Sequence, residues 1–395
     1  MDLAVSFGAF RKAEFRLPPV VQYGPGTLAN VGAEAAKFGK KALLVTDKNI
    51  RKAGYVDRAA TYLEEAGVKV AIFDGVDHEP SDAFVDEGLK VFREAGCEMC
   101  VAVGGGSPID TAKAVAVMAT NEGPITAYMG ADKIPNDPVP IIAVATTAGT
   151  GSEVTRNTII NDTVNDVKML IASRRIIPKV AIVDPLLTLT VPADYVAATG
   201  IDALTHAIEA YVSKRAQPVT DVLAMEAIRL IGRYMRRSWA NADDIEARVQ
   251  VMYAASMAGM AFSNSSVALV HGMSRPIGAL FHAPHGVSNA ILLAIVNEFS
   301  LVGAPERYAK VAELLGEPVE GLSTMGAARK GVDAVRALCA DVKIPTLADL
   351  GYDLVRFREV MPKMAADALA SGSPNNNPRV PNKEEIIELY KALLA

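Results

Sequence analysis

Five short apolar runs, each continuous rather than alternating, constrain this chain more than any other feature. They are ALLVT (residues 42–46), KVAIF (69–73), MCVAV (99–103), IIAVA (141–145) and VAIVD (180–184). Runs of this length, rich in Val and Ile, suit strands buried on both faces. Between them, residues 50–66, 81–95 and 107–119 carry helical periodicity. Alternating strand and helix predicts a parallel sheet covered on both sides, because parallel neighbours must be joined by a crossover. Ligands of such sheets bind at the carboxyl ends of the strands, so the loops after these runs are where chemistry is expected.

Two of those loops have the composition for it. After MCVAV comes GGGSPID, in which Gly104, Gly105 and Gly106 let the backbone approach a phosphate closely. Ser107 is expected to cap the following helix, with Pro108 at its first position and Asp110 completing a capping box. A helix N-terminus facing a glycine loop is an anion site, although a plain tight turn has the same composition. The loop is neither the G-x-G-x-x-G fingerprint nor a Walker-type phosphate loop, since no Gly-Lys-Ser/Thr follows. After IIAVA comes TTAGTGSEVT, whose Thr146, Thr147 and Thr150 offer hydroxyls for the other side of a dinucleotide. Asp47 ends the first run. Its carboxylate suits ribose hydroxyls and repels a 2'-phosphate, which favours NAD over NADP, while a cap or turn role is equally open.

Beyond Pro185 the pattern changes. The segment DPLLTLTVPADY leads to Thr199, which is expected to form a capping box with Asp202, and helical patterns follow at 221–235, 244–261, 305–315, 325–338, 355–369 and 383–394. The fold class expected is therefore an α/β domain over residues 1–188 and an all-helical domain over 189–395. Met252, Met257 and Met260 read as core packing.

The helical part holds a second chemical signal. Four of the five histidines fall between Thr199 and His285. Asp202 and His206 stand four apart, so on a helix they present an oxygen and an imidazole on one face. His271 is expected on a second helix, and His285 just beyond an Ala-Pro break where the chain can turn back. One carboxylate and three imidazoles suit a divalent transition ion such as Fe(II) or Zn(II) and disfavour calcium or magnesium. Spacing does not name the metal, and polar residues satisfied within Ala-rich helices remain the plain alternative.

Composition narrows the rest. With 395 residues and a net charge of -5, and with no Lys/Arg block, the chain is not expected to bind nucleic acid. Its N-terminus lacks an uninterrupted apolar core, and no later window was expected to span a bilayer, so the chain reads as cytoplasmic without a membrane partner. Cys97, Cys100 and Cys339 make no disulfide framework, and the Cys97/Cys100 pair, at the entry to an apolar run, reads as buried thiols.

In order along the chain, GPGTL (24–28), GGGSPIDTAK (104–113), TTAGTGSEVT (146–155), DPLLT (184–188) with TGIDALTHAIEAY (199–211), and the HG...PHG block (271–286) resemble the iron-containing (group III) alcohol dehydrogenase family. The resemblance covers essentially the whole length. It implies a dehydroquinate synthase-like architecture, with the active site in the cleft between an α/β and a helical domain, usually in a homodimer. It implies Fe(II), with Zn(II) or Mn(II) as substitutes, held by Asp202, His206, His271 and His285. NAD(H) would lie against Asp47, Gly105, Gly106, Ser107, Thr146, Thr147, Thr150 and Lys168. The implied reaction is hydride transfer between nicotinamide and a short-chain alcohol or aldehyde whose oxygen sits on the metal. A dehydroquinate synthase-like lyase is a remote alternative, since it needs several basic residues at the substrate. One position departs from the pattern: many members carry a histidine four residues after the third ligand, where this chain has Arg275. Arginine stays protonated and cannot relay a proton. His282, or ribose and water, is left for that role, and Arg275 is expected either to hold an anionic group of the substrate, as in a semialdehyde or a sulfonated or phosphonated aldehyde, or to pair with an acidic residue.

Overall fold

The structure, a computed structural model, describes residues 12–165 and 167–394. It contains two compact units, one of residues 16–191 and one of residues 192–394 joined by residues 12–15.

Among the described residues of the first unit nine strands form: β1 (Val20–Tyr23), β2 (Lys41–Val45), β3 (Lys69–Phe73), β4 (Met99–Gly104), β5 (Gly130–Ala131), β6 (Ile141–Ala145), β7 (Asn157–Asp162), β8 (Val167–Ala172) and β9 (Val180–Val183). Six of them make one sheet in the order β1-β9-β6-β4-β2-β3, and every pairing in it is parallel. The five apolar runs are five of these strands. β4 and β6 are buried at every position, as strands covered on both faces must be. Five helices lie among them: α1 (Val31–Ala35), α2 (Lys48–Lys52), α3 (Tyr55–Glu65), α4 (Asp82–Ala95) and α5 (Gly106–Met118). The single helix expected over 50–66 is broken at Gly54, which takes a left-handed φ of 80°.

β7 and β8 form an antiparallel pair in a separate three-stranded sheet with β5. Their burial alternates, so they show no continuous apolar run. The strand β1 brings GPGTL beside DPLLT. Asp184 accepts from the backbone N–H of Gly26 (3.0 Å) and Leu28 (3.1 Å) and caps its own turn through Leu186 N (3.1 Å). Two of the sequence signatures are thus one structural joint.

The second unit is helical: α6 (Ala193–Val212), α7 (Pro218–Ala240), α8 (Ile245–Asn264), α9 (Leu269–Phe281), α10 (His285–Ser300), α11 (Pro305–Leu314), α12 (Thr324–Asp341), α13 (Leu354–Ala370) and α14 (Lys383–Ala392). Two local expectations fail. α6 begins at Ala193, directly after Pro192, so Thr199 lies within it and donates its hydroxyl to Tyr195 O (2.8 Å) instead of capping. α5 begins at Gly106, so its N-cap is Gly105 rather than Ser107, and no side chain caps it. Contrary to the sequence expectation, the stretch His285–Gly303 is long and apolar enough by composition to cross a membrane, at 19 residues and a mean hydropathy of 1.5. Half of it is buried, with Ala290, Leu292, Leu293 and Val296 in the core, which accounts for its apolarity as core packing, and the polar Ser288, Asn289, Asn297 and Ser300 are buried along it too.

Candidate metal and cofactor sites

Helical periodicity sets the first half of the metal cluster. Asp202 and His206 share one face of α6, and their side chains are 2% and 5% exposed. His271 comes from the first turn of α9, and His285 is the first residue of α10, straight after Pro284. Beside His285, a Cβ on Gly286 would meet Ala198 O at 2.8 Å, so glycine there lets the start of α10 press against α6. One ligand atom from each of Asp202, His206, His271 and His285 lies within 4.8 Å of all the others. His271 Nε2 is 3.0 Å from His206 Nε2 and 3.9 Å from Asp202 Oδ1, and His285 Nε2 is 4.0 Å from the same oxygen.

The donor set fits a transition ion. Tetrahedral ligands at about 2.1 Å from an ion stand about 3.4 Å apart, and the observed separations bracket that value. Two imidazole nitrogens 3.0 Å apart in the interior, beside a carboxylate, are otherwise a poor arrangement. The His285 side chain is 35% exposed, so the cluster is closed on the protein side and open beside that residue.

Two residues that the motif reading did not single out hold the cluster. Glu209, one turn along α6 from His206, is buried, and its Oε2 accepts from His271 Nδ1 (2.6 Å) and Ala268 N (2.9 Å) while Oε1 accepts from Val270 N (2.6 Å). It therefore caps α9 and fixes the His271 tautomer, with the proton on Nδ1 and the Nε2 lone pair facing the cluster. Burial pushes Glu209 up to about 7, and burial likewise holds His271 well below its ordinary value, so the ring is neutral. For Asp202, burial acts to raise the carboxyl, but His206, His285 and His271 with the Asn289 amide outweigh it and keep it below the usual range.

The second is Asn289, wholly buried on α10. Its Nδ2 lies 2.7 Å from Asp202 Oδ1, 3.1 Å from His271 Nε2 and 3.2 Å from His285 Nε2, while its Oδ1 has no hydrogen-bond partner. His206 is also held by ring stacking on Phe262 at 4.3 Å. A signal for Glu209 existed in its place three residues after His206, on the same face; for Asn289 the signal was its i+4 spacing from His285.

The two loops at the sheet edge touch each other. A Cβ on Gly105 would crowd Thr147 Oγ1 at 3.1 Å, and one on Gly106 would clash with Thr150 Cγ2 at 2.8 Å, so the threonine loop packs closely on both glycines. With Gly105 as cap and no side-chain acceptor, the first N–H groups of α5 are left to face whatever occupies the loop, with Ser107 in its first turn. Asp110 does not close a capping box: its carboxylate accepts from Ser152 Oγ (2.5 Å) and Ile159 N (2.8 Å). Lys113, fully buried, donates to Ser152 O (2.7 Å), Thr155 O (3.2 Å) and Asn157 O (2.7 Å), and so ties α5 to the end of the threonine loop. Burial pushes the Lys113 ammonium down to about 8, with Asp110 and Glu153 pulling the other way, so it remains charged at neutral pH.

The Iron-containing alcohol dehydrogenase family profile matches residues 18–185, and the profile of the Fe-containing alcohol dehydrogenase family, C-terminal, matches residues 196–394. The chain belongs to the iron-containing alcohol dehydrogenase family. It is 46% identical to 1,3-propanediol dehydrogenase of Citrobacter freundii, over 97% of this chain and 99% of that one. It is 41% identical to the NAD-dependent methanol dehydrogenase of Bacillus methanolicus, over 96% and 99% respectively. The crystal structure of a 1,3-propanediol oxidoreductase superposes with a TM-score of 0.94 at 46% identity, covering 97% of this chain and 100% of that one. The protein is thus an oxidoreductase of a family that uses NAD and a metal.

The remaining residues singled out in the sequence of this family member are placed as follows. Asp47 caps α2, its Oδ1 accepting from Asn49 N (2.8 Å) and Ile50 N (3.0 Å), and among the described residues Oδ2 is unengaged. Thr146 is buried with its hydroxyl unpartnered, and Thr150 Oγ1 accepts from Ser152 N (3.2 Å). Lys168, on β8, pairs with Glu79 at 2.6 Å. His282 is exposed at the C-cap of α9 in a left-handed conformation (φ 53°), outside the metal cluster. Arg275 donates from Nη1 to Ser373 Oγ (3.0 Å); Glu209 acts on its charge at longer range, and among the described residues no acid forms an ion pair with it. Cys97 and Cys100 are both buried.

Proposed function

We propose that the protein is an NAD(H)-dependent alcohol dehydrogenase and aldehyde reductase for short-chain primary alcohols and aldehydes, working with Fe(II). Asp202, His206, His271 and His285 would hold the ion, and Zn(II) or Mn(II) fit the same donors. The observation that carries the reading is the convergence of these four side chains, with the His271 lone pair aimed by Glu209. An ion held there would supply Lewis acidity, and a bound nicotinamide would supply the hydride chemistry.

The chain's own residues then do the positioning. Glu209 orients His271, and the Asn289 amide orients Asp202. The uncapped start of α5, with Gly105, Gly106 and Ser107, would take the pyrophosphate on backbone N–H groups, and Thr146, Thr147 and Thr150 would line its other side. Asp47, through its unengaged Oδ2, would accept from ribose. Lys168 is a weaker candidate for the cofactor, because Glu79 already neutralises it.

The test is NADH oxidation at 340 nm with propanal, using protein stripped by chelator and reloaded anaerobically with Fe(II). Turnover that depends on the metal and is lost in His206→Ala supports the proposal. Turnover that survives chelation, or the absence of NADH binding, refutes it.

A further inference from the structure

Arg275 lies one turn beyond His271 on α9, on the same helix face and about 6 Å further along the axis. The 3₁₀ turn Ser373–Asn376 packs against α9 and brings Ser373 Oγ to Nη1 at 3.0 Å. Among the described residues that is the only hydrogen bond of the guanidinium, and none of their carboxylates forms an ion pair with it. The nearby acid, Glu209, has both oxygens taken by Ala268 N, Val270 N and His271 Nδ1. Arg275 is half-buried, and none of its nitrogens is sealed from solvent without a partner. Burial acts to lower the guanidinium and the Glu209 charge acts to raise it, so the fork stays charged. With one donor engaged by Ser373, it has donors left for a planar anion.

We infer that Arg275 is the specificity-determining residue for a short carbonyl substrate ending in a carboxylate or sulfonate, holding that terminus while the carbonyl lies at the Asp202, His206, His271 and His285 cluster. The inference rests on the dehydrogenase reading above and narrows its substrate class. The guanidinium binds in both directions of the reaction and takes no part in proton transfer, so its effect falls on KM more than on kcat.

The experiment compares NADH-dependent reduction of 4-oxobutanoate, 2-oxoethanesulfonate and butanal by wild type, Arg275→Met and Arg275→Lys, all metal-loaded. The expected result is a kcat/KM preference of about tenfold or more for the anionic aldehydes, collapsing by about tenfold in Arg275→Met and partly restored in Arg275→Lys. The two anionic arms separate carboxylate from sulfonate. A second readout is the melting midpoint with glutarate, which is not reducible: it rises in wild type and not in Arg275→Met. Butanal turnover without an anion preference, or a preference that Arg275→Met leaves unchanged, overturns the assignment and leaves the dehydrogenase reading standing. If no aldehyde is turned over, the dehydrogenase reading falls, and the glutarate shift alone decides whether Arg275 binds an anion: an equal shift in both proteins, or none, overturns it.

Discussion

Replacing Glu209 by Gln tests whether the candidate metal cluster is set by a residue outside the proposed ligand set. The wild-type carboxylate accepts three hydrogen bonds, from Ala268 N at 2.9 Å, Val270 N at 2.6 Å and His271 Nδ1 at 2.6 Å, and a carboxamide cannot accept all of them. The least damaging rotamer puts the amide N–H₂ where Oε1 stands and leaves Val270 N facing another donor. One buried unsatisfied donor costs about 1–3 kcal/mol, which is the stability loss expected of the metal-free protein. The His271 contact survives in that rotamer, but to a neutral acceptor, which makes Nε2 a poorer ligand. Loss of such a partner typically weakens metal binding about 10- to 100-fold, or roughly 1.4–2.7 kcal/mol. Chelator competition with Zn(II) measures that affinity, and urea unfolding of the metal-free protein measures the stability. If Glu209→Gln loses stability by this amount yet binds Zn(II) within about twofold of wild type, Glu209 is only the cap of α9 and the argument for tuning of His271 is refuted.

Three further outcomes are expected. Asn289→Ala removes the amide that donates to Asp202 Oδ1, so Zn(II) affinity should fall about tenfold or more in the same chelator assay; unchanged affinity would make Asn289 mere filling. Gly106→Ala places a Cβ 2.8 Å from Thr150 Cγ2, and NADH binding followed by fluorescence should weaken about tenfold while Zn(II) affinity stays at the wild-type value; equal NADH affinity would show that the loop yields freely. Lys113→Met leaves Asp110 and Glu153 without their buried cation, and the penalty of about 3–5 kcal/mol for breaking such a group should lower the melting midpoint by several degrees. A midpoint unchanged from wild type would mean that this lysine is not the tie between α5 and the threonine loop.

How far the sequence reaches differs from one part to the next. The five apolar runs appear as strands because burial on both faces leaves a continuous composition that survives any tertiary detail. The β7–β8 pair does not, because half of each strand faces outward and its pattern merges with that of a polar loop. Both capping boxes misplace the helix start by reading a side chain where the chain used backbone: α5 begins on glycine so that Thr147 and Thr150 can approach, and α6 begins after Pro192, seven residues ahead of Thr199.

The candidate site divides along the same line. By itself the sequence determined that Asp202 and His206 point one way, since a helix repeats every 3.6 residues wherever it is placed, and it marked the glycines and the late histidines as the remaining chemistry. Only the tertiary structure decided that α9 enters with its first N–H groups and His271 against Glu209, that the Asn289 amide lies against the ligand atoms, and that Arg275 meets a serine rather than an acid. Local spacing sets directions within one helix, whereas which side chain of another helix arrives there depends on how the helices pack, and no short stretch of sequence carries that information.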